Sequence, residues 1–424
     1  MEYVGYRVAV LAIMWAMYFV EQYLLLRQHM RLADEKLGVP AELQTHVSQQ
    51  EHEQAKKYGR AKSEFEFVLG LFNQSVATIT IVCDLLPALW SLARQLLVSL
   101  GIKNNNEILL SVVFTVLATV ASTVISWPFE LYKNFVIEEK FGFNKSTLPL
   151  FISDQFKTLL LTCVISAPFV AGILFVIKWA GANSFFFYVG AFVLVFQIIM
   201  ILIFPTFIAP LFNKFTPLED GDLKSLISLL AAKVDFPLTK VFVIDGSRRS
   251  SHSNAYFTGL YKDKRIVLYD TLLNQQTNQE ILAVLAHELG HWQKSHILSK
   301  LAITQLQLFA LFYTFSHFVE SADMYRAFGF TEEQPVLIGL VLFSYIYQPI
   351  DSLTSFATNY VSRLHEFEAD GYAKKLGYAE DLKSGLIKLH KKNLGNLVPD
   401  PWYSAWHYSH PPLVERLAAI GKTE

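Results

Sequence analysis

In the segment LAVLAHELGHWQKSH, residues 282–296, His287 and His291 stand four positions apart with Glu288 between them. On a helix that spacing puts both imidazoles on one face, where they can share a metal ion. Glu288, one residue after the first histidine, reaches a water on that ion without ligating the ion itself. This is the HExxH pattern, and the chemistry it offers is zinc-assisted hydrolysis of a peptide bond. A catalytic zinc takes three protein ligands and keeps an open position for water. The ion makes that water acidic, and a carboxylate removes its proton and passes it to the leaving amine. The motif is short, and an unrelated surface helix can carry it by accident. Ile281, Leu282, Leu285 and Leu289 recur at helical spacing around it, however, and seat it on a packed helix.

A third ligand must come from elsewhere in the chain. The segment NYVSRLHEFEADGYAKKLG, residues 359–377, offers Glu366 and Asp370 four positions apart on one helical face. That suits one carboxylate on the metal and one behind it, orienting a ligating histidine. His365 and Glu368 are rival ligands, and spacing alone does not separate the four.

The elements that must position these residues are unusually apolar. The 424 residues are 52% hydrophobic and 17% charged, with a mean hydropathy of +0.31, against a charged fraction of about 25% in soluble domains. Apolar runs long enough for a membrane span of about 20 residues lie near 6–26, 67–91, 108–128, 157–179, 184–210, 299–319 and 335–357. A formal net charge of -1 leaves no electrostatic footprint for nucleic acid. Cys83 and Cys163 both lie in apolar runs, which implies packing residues and no disulfide framework. The first span reads as a signal anchor, because it is too long and too poor in preceding basic residues for a cleaved signal peptide. The C-terminal Ile420-Gly421-Lys422-Thr423-Glu424 has no prenylation cysteine.

Lys and Arg near the span ends orient the chain. The loops after the first and third spans are basic, while the turn after the second holds only Arg94 and Lys103. The N-terminus is therefore expected outside the cytosol, and residues 211–298 and the C-terminal tail in it. Polar residues inside the spans, among them Glu21, Gln197, Gln305, Gln307 and Asp351, are expensive facing lipid and together favour a wet interior.

Residues 211–298 are the main water-compatible insert. An amphipathic helix is expected over 223–236 and strands over 240–246, 254–260 and 264–270. The last two form a hairpin about Tyr261-Lys262-Asp263. The HExxH helix follows over 278–296, with Asn278 as N-cap. The expected division is 1–210, five spans with cytosolic loops; 211–298, the metalloprotease insert; 299–358, two further spans; and 359–424, a cytosolic tail with the third ligand.

HELGH, the later EFEAD and SHPPLVERL (409–417) together resemble the type I CAAX prenyl proteases, and the likeness runs almost end to end. EEKFGFNKST (138–147), FPTFIAPLFNKFTPLEDG (204–221) and SSHSNAYFTGLYKDKRIVLYDTLL (250–273) also look like that family. The resemblance implies an all-α polytopic membrane protein. About seven transmembrane helices enclose an intramembrane chamber, with a small β-hairpin or sheet beside the zinc-site helix. It implies one zinc ion per chain on His287, His291 and Glu366, with Glu288 as catalytic base. It places His410 as an oxyanion donor, Asp370 behind the ligands with Arg416 as its partner, and Asn254 on the substrate backbone, which adds to the strand edge. Relatives more usually carry Arg-Phe before the ligand Glu and Gln two residues after it; here Leu364-His365 and Glu368 stand there.

The implied activity is removal of the aaX tripeptide from prenylated (farnesylated) CaaX proteins or peptides; the second, N-terminal cleavage of some relatives is left open by the sequence. The implied location is the endoplasmic reticulum or inner nuclear membrane, with the lipid bilayer as the other partner and no nucleic acid. The rival readings are a membrane-protein quality-control metalloprotease and a non-catalytic membrane scaffold with a structural zinc. Glu288 argues against the scaffold, since a structural site has no use for a general base.

Overall fold

The computed structural model describes residues 2–102, 106–259 and 264–422. Its apolar runs become long helices, seven of which are long and apolar enough to cross a membrane. In chain order the first are α1 (Glu2–Ala33), α2 (Gln49–Val82), the shorter α3 (Leu85–Ser99), α4 (Glu107–Tyr132), α5 (Leu148–Ala180) and α6 (Phe185–Ile203). The second apolar run, expected as one span over 67–91, is instead broken. α2 ends at Val82, and Asp84 takes a left-handed conformation (φ 52°) before α3 begins. Its carboxylate meets Arg7 of α1 at 2.5 Å, so an acid expected inside a span marks a helix break. Cys83, expected as packing, is exposed at this break, and Cys163 is half-buried; both are free.

The insert follows: β1 (Phe215–Pro217), α7 (Asp222–Lys233), β2 (Leu238–Ile244), β3 (Ala255–Thr258), β4 (Lys264–Tyr269), α8 (Asp270–Gln275) and α9 (Asn278–Gln293). The strands form one mixed sheet in the order β1-β2-β4-β3. β3 and β4 pair antiparallel as expected, Ala255 opposite Leu268 and Thr258 opposite Arg265, while β2 and β4 run parallel. The expected turn at Tyr261-Lys262-Asp263 lies outside the described residues. The three-residue β1 was not expected from its sequence, FTP, which is too short for an alternating pattern. β3 is an edge strand, hydrogen-bonded on one side only among the described residues.

The chain then returns through α10 (His296–Ser316), the short α11 (Ala322–Ala327) and the 40-residue α12 (Val336–Lys375), and ends in α13 (Ala379–Lys392), α14 (Pro401–His407) and α15 (Leu413–Gly421). Each long helix packs on the next: α1 on α2, α2 on α3, α3 on α4, α4 on α5, α5 on α6, α6 on α10, α10 on α12, and α12 back on α1. That is a closed ring. In its most apolar window each span buries only 6% to 28% of its residues within the protein, where a solid bundle would bury one face of each helix. The helices therefore wall an open space, which accounts for the polar residues in the spans: Gln305 donates to Gln197 at 2.8 Å and Gln307 to Thr358 at 2.8 Å.

The insert has a conventional core. Ile281, Leu282, Leu285 and Leu289 of α9 pack on Ile266 and Leu268 of the sheet and Ile227 of α7, and none of these is more than 2% exposed. Burying such side chains is worth about 1.5–3 kcal/mol each, which anchors α9 with its opposite face turned toward α12.

Candidate metal centre

α9 starts at a capping box one residue earlier than expected. Thr277 Oγ1 accepts the Glu280 N–H, and the Glu280 carboxylate accepts the Thr277 N–H. Thr277, not Asn278, is the N-cap, because the T-x-x-E pair satisfies two orphan backbone donors at once. Glu280 also takes Lys388 of α13 at 2.6 Å, which fixes the direction of the helix.

Gly290 decides how close α12 comes. A Cβ on it would sit 2.9 Å from the Ala369 Cα and 3.1 Å from the Ala369 carbonyl oxygen, so only glycine allows the two backbones to meet there. With that approach, Glu366, three residues before Ala369, reaches the two histidines. His287 Nε2 lies 3.2 Å from His291 Nε2, Glu366 Oε2 lies 3.4 Å from His287 Nε2, and Glu366 Oε1 lies 3.3 Å from His291 Nε2. A tetrahedral ion with ligands at about 2.0–2.1 Å holds its ligand atoms about 3.3 Å apart. The distance between the two imidazoles and the distance from each to its own Glu366 oxygen are of that size, and one donor atom from each residue lies within 4.8 Å of the others in a triangle. Glu366 is 3% exposed and its Oε2 has no hydrogen-bond partner. A buried carboxylate oxygen without a hydrogen bond is costly, and a cation at the centre of the triangle would satisfy it. His287, His291 and Glu366 form the cluster of metal-binding type found among the described residues.

The supports behind the two histidines differ. His287 Nδ1 lies 2.8 Å from Asp370 Oδ1, and Asp370 accepts Arg416 Nε at 2.8 Å and Nη2 at 2.6 Å. Arg416 Nη1 also lies 3.6 Å from Glu366. Burial lowers the His287 imidazole, but the hydrogen bond to Asp370 and the nearby Glu366 carboxylate outweigh it and raise it to about 9, so the site draws positive charge. His291 Nδ1 instead lies 2.8 Å from His296 Nδ1, and His296 Nε2 lies 2.9 Å from Glu368 Oε2. With His291 Nε2 turned to the metal position, the network assigns the protons: His291 Nδ1–H donates to His296, and His296 Nε2–H donates to Glu368. Of the rival ligands, then, Glu368 holds His296. His365 stacks on His296 with ring centroids 4.0 Å apart, near Ser299 Oγ at 3.4 Å. Neither joins the triangle.

Glu288 and His410 line the cavity that the triangle opens into, together with Asn254 and the β3 residues Ala255, Tyr256 and Phe257. Burial raises the Glu288 carboxyl above its ordinary value, which suits a group that must take a proton and give it back. His410 Nε2 lies 3.4 Å from Glu366 Oε1, and its Nδ1 pairs with Ser409 Oγ at 3.1 Å. Asn254 Oδ1 accepts the Ala255 N–H at 2.8 Å, fixing the start of β3. Every site residue expected from the sequence lies at or beside this cavity. The sequence reading missed His296, whose signal was a histidine opening the next apolar run, and Gly290, whose role needs the partner helix to be seen.

Comparisons with known proteins place the chain in a family. Residues 28–214 match the family described as CAAX prenyl protease N-terminal, five membrane helices, and residues 217–424 match peptidase family M48. The chain is 42% identical to the mouse CAAX prenyl protease 1 homolog, over 97% of this chain and 94% of that one. It is 45% identical to the Arabidopsis thaliana homolog, over 97% and 96%, and 42% identical to Saccharomyces cerevisiae CAAX prenyl protease 1, over 96% and 93%. The crystal structure of S. mikatae Ste24p superposes with a TM-score of 0.92 at 42% identity, covering 98% of both chains. This multi-pass membrane protein belongs to peptidase family M48, among its members that carry the CAAX prenyl protease N-terminal segment.

Proposed function

We propose that the protein is a zinc endopeptidase that removes the aaX tripeptide from prenylated CaaX proteins. The observation that carries the reading is the donor triangle of His287, His291 and Glu366, with Glu288 beside it. The triangle faces a free strand edge at the end of a hollow ring of membrane helices. Zinc fits two imidazoles and a carboxylate better than magnesium or calcium, which prefer all-oxygen sites; His287, His291 and Glu366 would hold it, and it would supply Lewis-acid chemistry toward the scissile carbonyl and water. The chain's own groups do the rest. The substrate backbone pairs with the open edge of β3, which is indifferent to side-chain sequence, and Asn254 fixes its position. Glu288 accepts a proton from the attacking water and delivers it to the leaving amine. His410 donates to the oxygen that gains charge as the carbonyl carbon becomes tetrahedral. Asp370, clamped by Arg416, holds the His287 proton on Nδ1 and leaves Nε2 free to ligate.

The ring gives the prenyl group an apolar wall while the cavity at its end holds water. The reading sets the site on the cytosolic side of the endoplasmic reticulum or inner nuclear membrane, with the N-terminus in the lumen. It treats 1–210 and 299–358 as membrane parts, 211–298 as the metalloprotease insert and 359–424 as the tail. The test is a farnesylated CaaX peptide given to purified protein with and without chelator. Cleavage between the cysteine and the first aliphatic residue, abolished by chelator and by Glu288→Gln, is expected. Cleavage by Glu288→Gln at the wild-type rate would remove the mechanism and reopen the scaffold reading.

A further inference from the structure

Two long-armed cations line the cavity at the metal centre, Lys300 and Arg416. They are in opposite states. Arg416 is buried and committed: Asp370 takes two of its nitrogens, and Glu366 stands 3.6 Å from the third. Lys300 is exposed, and its ammonium has no hydrogen bond or ion pair among the described residues. It is not a remote surface lysine. It lies one helical turn along α10 from His296, which touches the metal ligand His291. It lines the same cavity as Glu288 and His410. The cleft thus offers one uncommitted positive charge within electrostatic reach of the reacting groups.

The chemistry proposed above supplies an anion to match it. A CaaX peptide ends in a free carboxylate three residues after the bond to be cut, and three extended residues span about 10 Å. A charged end group at a fixed distance from the reacting carbonyl marks this peptide bond from the side opposite the prenyl group, since pairing along β3 reads no side chains. We propose that the Lys300 ammonium receives the C-terminal carboxylate of the substrate and so measures the tripeptide that is released. The flexible lysine stem suits this task, because it adjusts to different aaX side chains while keeping its charge in the cleft.

The inference rests on the prenyl-endopeptidase reading, and its test separates the two. Full-length protein, loaded with zinc, is given two farnesylated peptides that differ only in ending in a carboxylate or a carboxamide. Wild type is expected to favour the carboxylate by about tenfold or more in kcat/KM, as for a charge-assisted contact, mainly through KM. Lys300→Met should cleave the carboxamide peptide at near the wild-type rate and lose the preference. Lys300→Arg should keep most of it. An unchanged preference in Lys300→Met, or no preference in wild type, overturns the carboxylate contact and leaves the protease reading standing. Failure of wild type to cut either peptide overturns both.

Discussion

α12 passes through two regions that follow different packing rules. Its C-terminal part, from Ser362 to Ala373, lies against α9 and α15 and buries His365, Glu366, Ala369 and Asp370. Its N-terminal part packs on α1, α10 and α11 and buries Ile338, Leu342, Phe343 and Tyr347. Between Tyr347 and Ser362 no residue of this helix is buried, although the stretch lies within the ring. One continuous helix is thus a wall of a hollow in its middle and a precision surface at its end. Tight packing is confined to where atoms must converge on a metal, and the ring spends little of its length on it.

Three substitutions and one control separate the two regions, in order of expected effect. Asp370→Ala in the precision region leaves Arg416 buried with only Glu366 for a partner. Removing one member of a buried ion pair typically destabilises by about 3–5 kcal/mol. Thermal unfolding and metal content should both fall, and a variant with wild-type stability and full metal would show that the pair is dispensable. Gly290→Ala drives a methyl into the Ala369 backbone and should destabilise by about 1–3 kcal/mol, as overpacking does, with loss of metal affinity as α12 is pushed outward. Gly371→Ala, on the facing helix α12, is the control. Its Cβ meets nothing within 4 Å, so equal loss from both glycines would mean that backbone approach is not what matters. Gln305→Leu, in the ring wall, removes a hydrogen bond of the kind worth about 0.6 kcal/mol in membrane helices. Stability should barely change and metal content not at all. A large loss would show that the ring is packed as tightly as the site.

The same contrast governs what could be read from the sequence. The spans were legible because twenty apolar residues have few other uses, and the ligand pair His287 and His291 because helical spacing fixes a face. The break at Asp84 was not, because a left-handed residue leaves no mark in a hydropathy pattern. The N-cap was misread by one residue although Thr277 and Glu280 carried the capping-box signal. His365, Glu366, Glu368 and Asp370 could not be ranked by spacing alone, since which face of α12 meets α9 depends on contact between Gly290 and Ala369, 79 residues apart in the numbering. Resemblance to a family chose Glu366, and the geometry gives the reason.

The account stands on Glu366 as the third donor, with His365 turned away to stack on His296. The direct measurement is zinc stoichiometry by elemental analysis, with single-turnover cleavage of a farnesylated peptide, on Glu366→Ala and His365→Ala side by side. Glu366→Ala should lose both metal and cleavage, while His365→Ala keeps stoichiometric zinc and measurable turnover. Zinc retained by Glu366→Ala and lost by His365→Ala would contradict the assignment.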